Sequence, residues 1–592
     1  MPGHALRPRH AAWGTLAAPA LSLLLACTAA PPPPPTGKPP AAAAVLAPPA
    51  AMRVEGAPPL DAALVPALRR YAEVVGHGIA DWHPTARELL VVHRAPGQST
   101  AQIHRLRRPL GPLEPLTAGA DPVTRARWEP GRGRFILFER ASGGDEAYQL
   151  FRLDPDTRAA TPLMPAGERH ALVGYLPSRG RALVASVPLD RTVRRSAPGG
   201  AADTAPPPRR AELTTRLTLV DPLAPEAPGG RRVVAELPGT GWFGGDVSSD
   251  ETRLAITRYV SATQSEAWML DLPAADSPAG TPAPAVNGTA NARRLLPAAG
   301  ETQRAAHLVE GFTPDGRGLL LQSDRAGEFR ELMRLDLADG RLARLTAHIP
   351  WDVDDSDVAA GQALAPLRIN VDGRDELRLI DLASGSERAL PAALPPGGVS
   401  AVRLHRASGE VAFVTQSAQG PGQVHSLDPA SGRVETWTRI VAPSDLDLAQ
   451  VPAQQIVRWK SFDGRTLSGV LSLPPARFPG RRPVLIWMHG GPEGQSKLGW
   501  NGRMNYLLME RGIALFEPNV RGSSGCGKTF LDLDNGRARE NSVRDMESAI
   551  DCTATHPRLD AARVVVYGGS YGGYMALAAA VLACFPVEDA TP

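Results

Sequence analysis

Charge of one sign is what this 592-residue sequence lacks first: 64 basic and 61 acidic side chains leave a formal net charge of +3. A chain so nearly balanced has no field with which to hold a nucleic acid or an anionic surface, so neither is expected as a partner. Cysteine is scarce as well. Apart from Cys27 there are Cys526, Cys552 and Cys584; three thiols cannot all pair within one chain, although a Cys526–Cys552 bridge is open to an exported protein. No metal-ligand spacing is present, and no cofactor is expected. The apolar run from Ala11 to Ala26 is interrupted by Pro19 and is short for a membrane span. What the chain has in plenty is glycine (58) and proline (59). Part of it sits in tethers and insertions, and the rest fits a turn-rich β architecture. Hydrophobic residues at 43% and charged ones at 21% are ordinary for a soluble globular protein. The length allows two or more domains, each with its own core.

The N-terminus has the shape of a secretory signal: Arg7 and Arg9 precede the apolar run, which ends Leu24-Leu25-Ala26-Cys27. A small residue before Cys27 and a Leu three positions upstream resemble the bacterial lipobox, in which the cysteine is diacylated and becomes the mature N-terminus. The alternative is a plain signal peptide cleaved near Thr28-Ala29-Ala30. Residues 1–27 are therefore expected to export the chain to the periplasm or cell envelope, with a lipid anchor at Cys27 as its contact with a membrane. Residues 28–58, nearly all Ala and Pro, cannot bury a core and are expected to form an extended tether.

From 59 to 448 the chain repeats itself. Trp82-His83-Pro84, Trp128-Glu129-Pro130, Tyr175-Leu176-Pro177 and Phe312-Thr313-Pro314 each read as the opening of a unit, followed by a short apolar strand. An apolar residue followed by Asp closes most units, at Asp154, Asp221, Asp271, Asp336, Asp381 and Asp428. Several of these run into Gly, as at Gly340 and Gly385, which suits a β-turn in which Asp bonds its own backbone and Gly takes a positive φ. Short strands in units of roughly 45 residues are the signature of a β-propeller, and seven blades are expected. Pro/Ala/Gly-rich insertions around 195–210 and 273–290 read as surface loops.

Near 449 the pattern changes to buried strands (Arg482–Met488, Gly512–Phe516, Arg563–Tyr567) alternating with helical stretches, clearest from Val543 to Ala554. That alternation predicts a mainly parallel sheet covered on both faces, an α/β-hydrolase arrangement over 449–592. The chemistry sits at Gly568-Gly569-Ser570-Tyr571-Gly572. This G-x-S-x-G sequence lies between a strand and an Ala-rich helix, the context of a nucleophile elbow. His489-Gly490-Gly491-Pro492 follows the strand ending at Met488. Loops of this type supply one N–H of an oxyanion hole, and the residue after the nucleophile supplies the other. The candidate catalytic residues are thus Ser570, Gly491 and Tyr571, with His489 read as a structural residue that orients the loop.

The segments HGGPEGQ (489–495), EPNVRGSSGCGKTF (517–530), LDLDNGRARE (531–540) and YGGSYGGYMAL (567–577) resemble the prolyl oligopeptidase family of serine peptidases in order and spacing. They look most like its acylaminoacyl-peptidase and bacterial dipeptidyl-aminopeptidase-like branch. The blade line 312–324 likewise resembles the propellers of TolB and of that family. The resemblance implies a propeller followed by a hydrolase, and hydrolysis of short peptides through a Ser570 acyl-enzyme. It also implies a triad Asp and His after the serine, yet no His follows Ser570, and Asp589 reads as a solvated tail residue. The expectation is a hydrolase domain truncated after its elbow and inactive as written. Two other readings stay open: an exported, non-catalytic TolB-like propeller that binds a protein partner, and an esterase or other acyl hydrolase. Oligomeric state is left open.

Overall fold

The computed structural model describes residues 44–189, 192–193, 209–210, 213–274, 291–359, 361–392 and 394–584. The signal segment with Cys27, the first part of the tether and Asp589 lie outside these residues, as do most of the two insertions. The chain divides into two compact units, 1–64 and 65–592. In the first, Val45–Leu46 pairs antiparallel with Leu60–Asp61, so the stretch expected to be extended throughout contains a short ribbon where Val and Leu interrupt the Ala/Pro run.

The second unit holds seven four-stranded antiparallel sheets followed by a five-stranded mixed sheet. The seven are the blades of a propeller and run from His77 to Thr436. Each is one contiguous piece of chain: blade 1 spans 77–115 and blade 7 spans 398–436. The sequence markers belong to this architecture but mark different points from those expected. Trp82 ends the first strand of blade 1 (His77–Trp82), so the Trp/Phe–x–Pro lines mark the turn from first to second strand. Asp336 ends the third strand of blade 5 (Glu331–Asp336), so the Asp lines mark the turn from third to fourth. Innermost strands such as His77–Trp82 and His307–Phe312 alternate too weakly in sequence to announce themselves, so each blade begins one strand before its Trp/Phe–x–Pro line. The turn chemistry is as expected. Asp336 Oδ1 accepts from Ala338 N at 2.8 Å and Asp381 Oδ1 from Ser384 N at 2.8 Å, while Gly340 and Gly385 take φ of 75° and 73°.

Neighbouring blades are held by apolar packing and by half-buried carboxylates. Leu90 and Ile103 of blade 1 share a core with Trp128, Ile136 and Phe138 of blade 2. Asp81 accepts from Trp128 N at 2.9 Å, Asp246 from Phe312 N at 2.9 Å and Asp357 from Leu404 N at 2.7 Å. Each of these carboxylates satisfies a backbone donor in the blade that follows. The ring is closed without a shared strand, by an antiparallel bridge between Val75 and Val441, by Leu110 N donating to Trp437 O at 2.9 Å and by side chains. Trp82 Nε1 donates to Arg403 O at 3.1 Å, Arg87 forks onto Glu410 and reaches Glu435, and Trp437 packs edge-on against Trp82.

The final sheet runs in the order Gln455–Lys460, Thr466–Ser472, Ala514–Asn519, Arg482–Met488, Leu559–Gly568. The last three strands are parallel and the first two antiparallel, so the sheet is mixed. Met488, Phe516 and Ile486 pack with Val543 and Met546 of the helix Arg539–Thr555 and with Met575 of the helix Tyr571–Cys584. The elbow strand Leu559–Gly568 comes last in this order, beside the strand Arg482–Met488. Among the described residues it has one partner and stands at the edge, leaving Val565 60% exposed and Leu577 on the following helix 73% exposed.

One buried acid in this sheet lacks compensation. Glu517, on the strand Ala514–Asn519, has no hydrogen-bond partner for its Oε1, and burial pushes its carboxyl up to about 8. A raised acid favours the folded state fully below its ordinary range near 4.5, and that contribution is lost as pH rises toward 8. Glu517→Gln is therefore expected to raise the thermal midpoint at pH 9, with a stability gain on the order of a few kcal/mol, and to change it little at pH 5. Parallel decline of wild type and variant between those pH values, in thermal melts, would assign the pH dependence elsewhere.

Candidate active site

Ser570 sits where the elbow strand meets its helix, with φ of 55°, one of six described non-glycine residues in the left-handed region. A serine tolerates this conformation when its surroundings leave the turn no alternative. Those surroundings are backbone. A Cβ on Gly572 would lie 2.3 Å from Met488 O, and one on Gly568 would lie 2.4 Å from the Gly572 carbonyl. The elbow thus packs chain against chain onto the end of the strand Arg482–Met488, and its glycines are what that contact requires. The turn is closed by Gly572 N to Gly569 O at 2.9 Å and Gly573 N to Ser570 O at 3.0 Å.

The same contact brings the loop after Met488 alongside the serine. A Cβ on Gly490 would stand 3.7 Å from Ser570 Cβ. Ser570, Tyr571 and Gly491 line one open cleft of about 620 Å³, together with Pro492, Gly536, Arg537, Arg539, Glu540 and Tyr574. All three sequence-derived catalytic candidates therefore meet at one place. Among the described residues, neither Gly491 N–H nor Tyr571 N–H donates to another backbone group. Tyr571 is also the first residue of its helix, so its amide points out of the N-terminal end. Two unengaged backbone donors beside an exposed serine hydroxyl form an arrangement able to hold a negatively charged oxygen.

His489 stands apart from this chemistry. Its Nδ1 lies 2.8 Å from Gly490 O and its Nε2 2.9 Å from Ser523 Oγ. Burial lowers its pKa, which favours the neutral ring, and the Ser523 hydroxyl that faces Nε2 donates its own proton to Val520 O at 2.6 Å. Both nitrogens are spent on holding the loop. Among the described residues, no side chain hydrogen-bonds Ser570 Oγ, and no group of three His, Cys, Asp or Glu side chains could hold a metal ion. Cys526 and Cys552 are free thiols, and no bridge joins them.

Several supporting residues carried no recognisable signal. Asp545, fully buried on the helix Arg539–Thr555, takes Arg521 through Nε and Nη2 at 2.8 Å each and the Ser461 hydroxyl at 2.5 Å. This pair fixes the loop that carries Ser523, and hence His489. Arg539 lies over the Tyr571 ring with Cζ 5.1 Å from its centre, and its Nη2 is 3.6 Å from Asp534 Oδ2. Arg521, Asp534 and Arg539 were legible only as members of resembling segments, and Asp545 lies outside them; the pairing comes from tertiary contact.

Residues 500–583 match the sequence model described as "Prolyl oligopeptidase family". The chain is 30% identical over 279 residues to "Dipeptidyl aminopeptidase BIII" of Pseudoxanthomonas mexicana, a match covering 45% of this chain and 39% of that protein. It is 26% identical over 213 residues to the "Acylamino-acid-releasing enzyme" of Sus scrofa, covering 34% and 28%. The match thus spans well under half the length of these curated relatives. In fold it is similar to a solved prolyl endopeptidase structure, with a TM-score of 0.68 at 16% identity, over 87% of this chain and 72% of that one.

The elbow packing makes a graded prediction. Gly572→Ala drives a methyl into Met488 O and is expected to destabilise the hydrolase segment by about 1–3 kcal/mol or more. Gly573→Ala should leave it intact, since its nearest neighbour would be Gly568 O at 3.6 Å. Limited proteolysis of 449–584 reads the difference; equal resistance of the two variants would show that the contact is not tight.

Proposed function

Given that this chain belongs to the prolyl oligopeptidase family, we propose that it hydrolyses peptide bonds in short peptides through an acyl-enzyme on Ser570. The observation that carries this reading is the serine in a left-handed turn at the floor of a cleft it shares with Gly491 and Tyr571. In the reaction Ser570 Oγ attacks the scissile carbonyl while a base removes its proton. The tetrahedral oxyanion then accepts from the Gly491 and Tyr571 amides. Collapse breaks the C–N bond, the amine departs with the proton, and water releases the acyl group by the same steps. An esterase would use the same apparatus, but the propeller beside the cleft favours peptides.

Among the described residues, no base is in contact with the serine. His489 is engaged at both nitrogens, and a serine without its base is a poor nucleophile at neutral pH. We infer that this chain by itself turns over peptides at a rate on the order of a millionfold below that of a complete triad. Aminoacyl-nitroanilide and nitrophenyl-ester assays with the purified chain, with Ser570→Ala as control, test both halves of the reading. Nitroanilide turnover abolished by Ser570→Ala would overturn the inference of a missing base. Ester turnover without any peptide turnover would favour the acyl-hydrolase alternative.

The N-terminal reading is a proposal of the same standing: export and diacylation at Cys27, supported by the lipobox-like Leu24-Leu25-Ala26-Cys27. In a bacterial host, a fatty-acid probe is expected to label wild type and spare Cys27→Ser. Equal labelling of both, or of neither, would leave a simple secreted protein.

A further inference from the structure

The segment that follows the oxyanion loop is held from two sides. On the hydrolase side, Ser496 N donates to Asn519 Oδ1 at 2.7 Å and Asn519 Nδ2 returns to Ser496 O at 3.1 Å. On the other side, the segment lies along blade 6. Lys497 Nζ reaches Asp354 Oδ2 at 2.6 Å and Asp375 Oδ1 at 2.8 Å. Asn370 Nδ2 donates to Gln495 Oε1 at 2.5 Å, and Leu498 N donates to Gly373 O at 3.0 Å. Four consecutive residues thus bond either the sheet of one domain or the blade of the other.

Between this segment and Gly491 the chain has no slack. A Cβ on Gly491 would fall 2.3 Å from Glu493 N, and one on Gly494 would fall 2.3 Å from Gly490 O and 2.8 Å from His489 Nδ1. A turn this close-packed transmits a displacement of residues 495–498 instead of absorbing it. Resting on the assignment of Gly491 N–H as an oxyanion donor, we propose that blade 6 is part of the apparatus that sets the oxyanion loop, and that Lys497 is the positioning residue that couples them.

The charges around Lys497 make it a selective handle. Arg368 bridges the same two carboxylates, at 3.2 Å to Asp354 and 2.8 Å to Asp375, and Arg330 adds a contact to Asp354 at 2.8 Å. With Lys497 gone, both aspartates keep an arginine partner, so blade 6 retains its own ion pairs. What is lost is the charged tie across the domains, leaving the Asn370–Gln495 and Leu498–Gly373 bonds in place. Because the carboxylates are largely buried, with side chains 13% and 9% exposed, this tie is shielded from salt in a way that a surface pair is not.

Hydrogen exchange on the full chain tests the coupling without needing turnover. In Lys497→Met the amides of 489–499 are expected to exchange at least tenfold faster, while the strands 514–519 and 364–371 keep their protection. Lys497→Arg, which restores a cation, should return the segment toward wild type. Asp375→Asn, changed from the propeller side, should loosen the same peptide. Unchanged exchange at 489–499 in Lys497→Met would overturn the proposal, as would a uniform rise across the hydrolase, which marks general destabilisation. The nitroanilide and ester assays at Ser570 bear on the peptidase reading alone, since exchange reports the coupling whether or not the serine is active.

Discussion

The contact between the elbow and the end of the strand Arg482–Met488 is the constraint on which the site depends. Backbone meets backbone there, with no volume left for a methyl group at Gly572. Everything else follows from that proximity. The chain must turn through a left-handed residue to make it, so Ser570 is lifted clear of the sheet. The loop leaving Met488 has nowhere to run except past the serine, which brings Gly490 and Gly491 to it. The helix starting at Tyr571 then presents its first amides to the same point. No side chain in the cleft needs to be recruited from far away for the oxyanion donors to converge.

Around this contact, the supporting network is ionic and buried. Arg521 and Asp545 fix the loop bearing Ser523, Ser523 fixes His489, and His489 fixes Gly490. A buried pair of this kind is weak evidence of stability but a strong device for uniqueness, because removing one partner strands the other. It explains how a glycine-rich loop, free to adopt many conformations, is held to one. Lys497 extends the same logic across the domain boundary into the propeller.

Much of this was legible in the sequence, where the signal is local. The elbow and the His-Gly-Gly loop show as short motifs because close packing dictates residue type at each position. The Asp–Gly turns of blades 5 and 6 show because a left-handed turn residue and a side chain bonding its own backbone leave few alternatives. The phase of the blades did not show: His77–Trp82 and His307–Phe312 mix polar and apolar positions because the innermost strands carry buried histidines and half-buried carboxylates such as Asp81. The ion pairs of Asp545 and Lys497 join residues 24 and 122 or more positions apart. No periodicity announces contacts of that kind.

The contiguity of the blades has a consequence for how such a ring changes over generations. When a ring is closed by weaving the first and last strands into one sheet, any gain or loss of a unit must rewire that sheet. Here no strand is shared: Trp82, Arg87 and Trp437 meet across the seam, with an antiparallel bridge between Val75 and Val441 that flanks the blades, and each blade is encoded as an unbroken cassette. An in-frame duplication or deletion of one cassette leaves every remaining hydrogen-bonded ladder whole, and only the two flanking faces have to re-pack. Blade number is thus a quantity that recombination can alter in single steps.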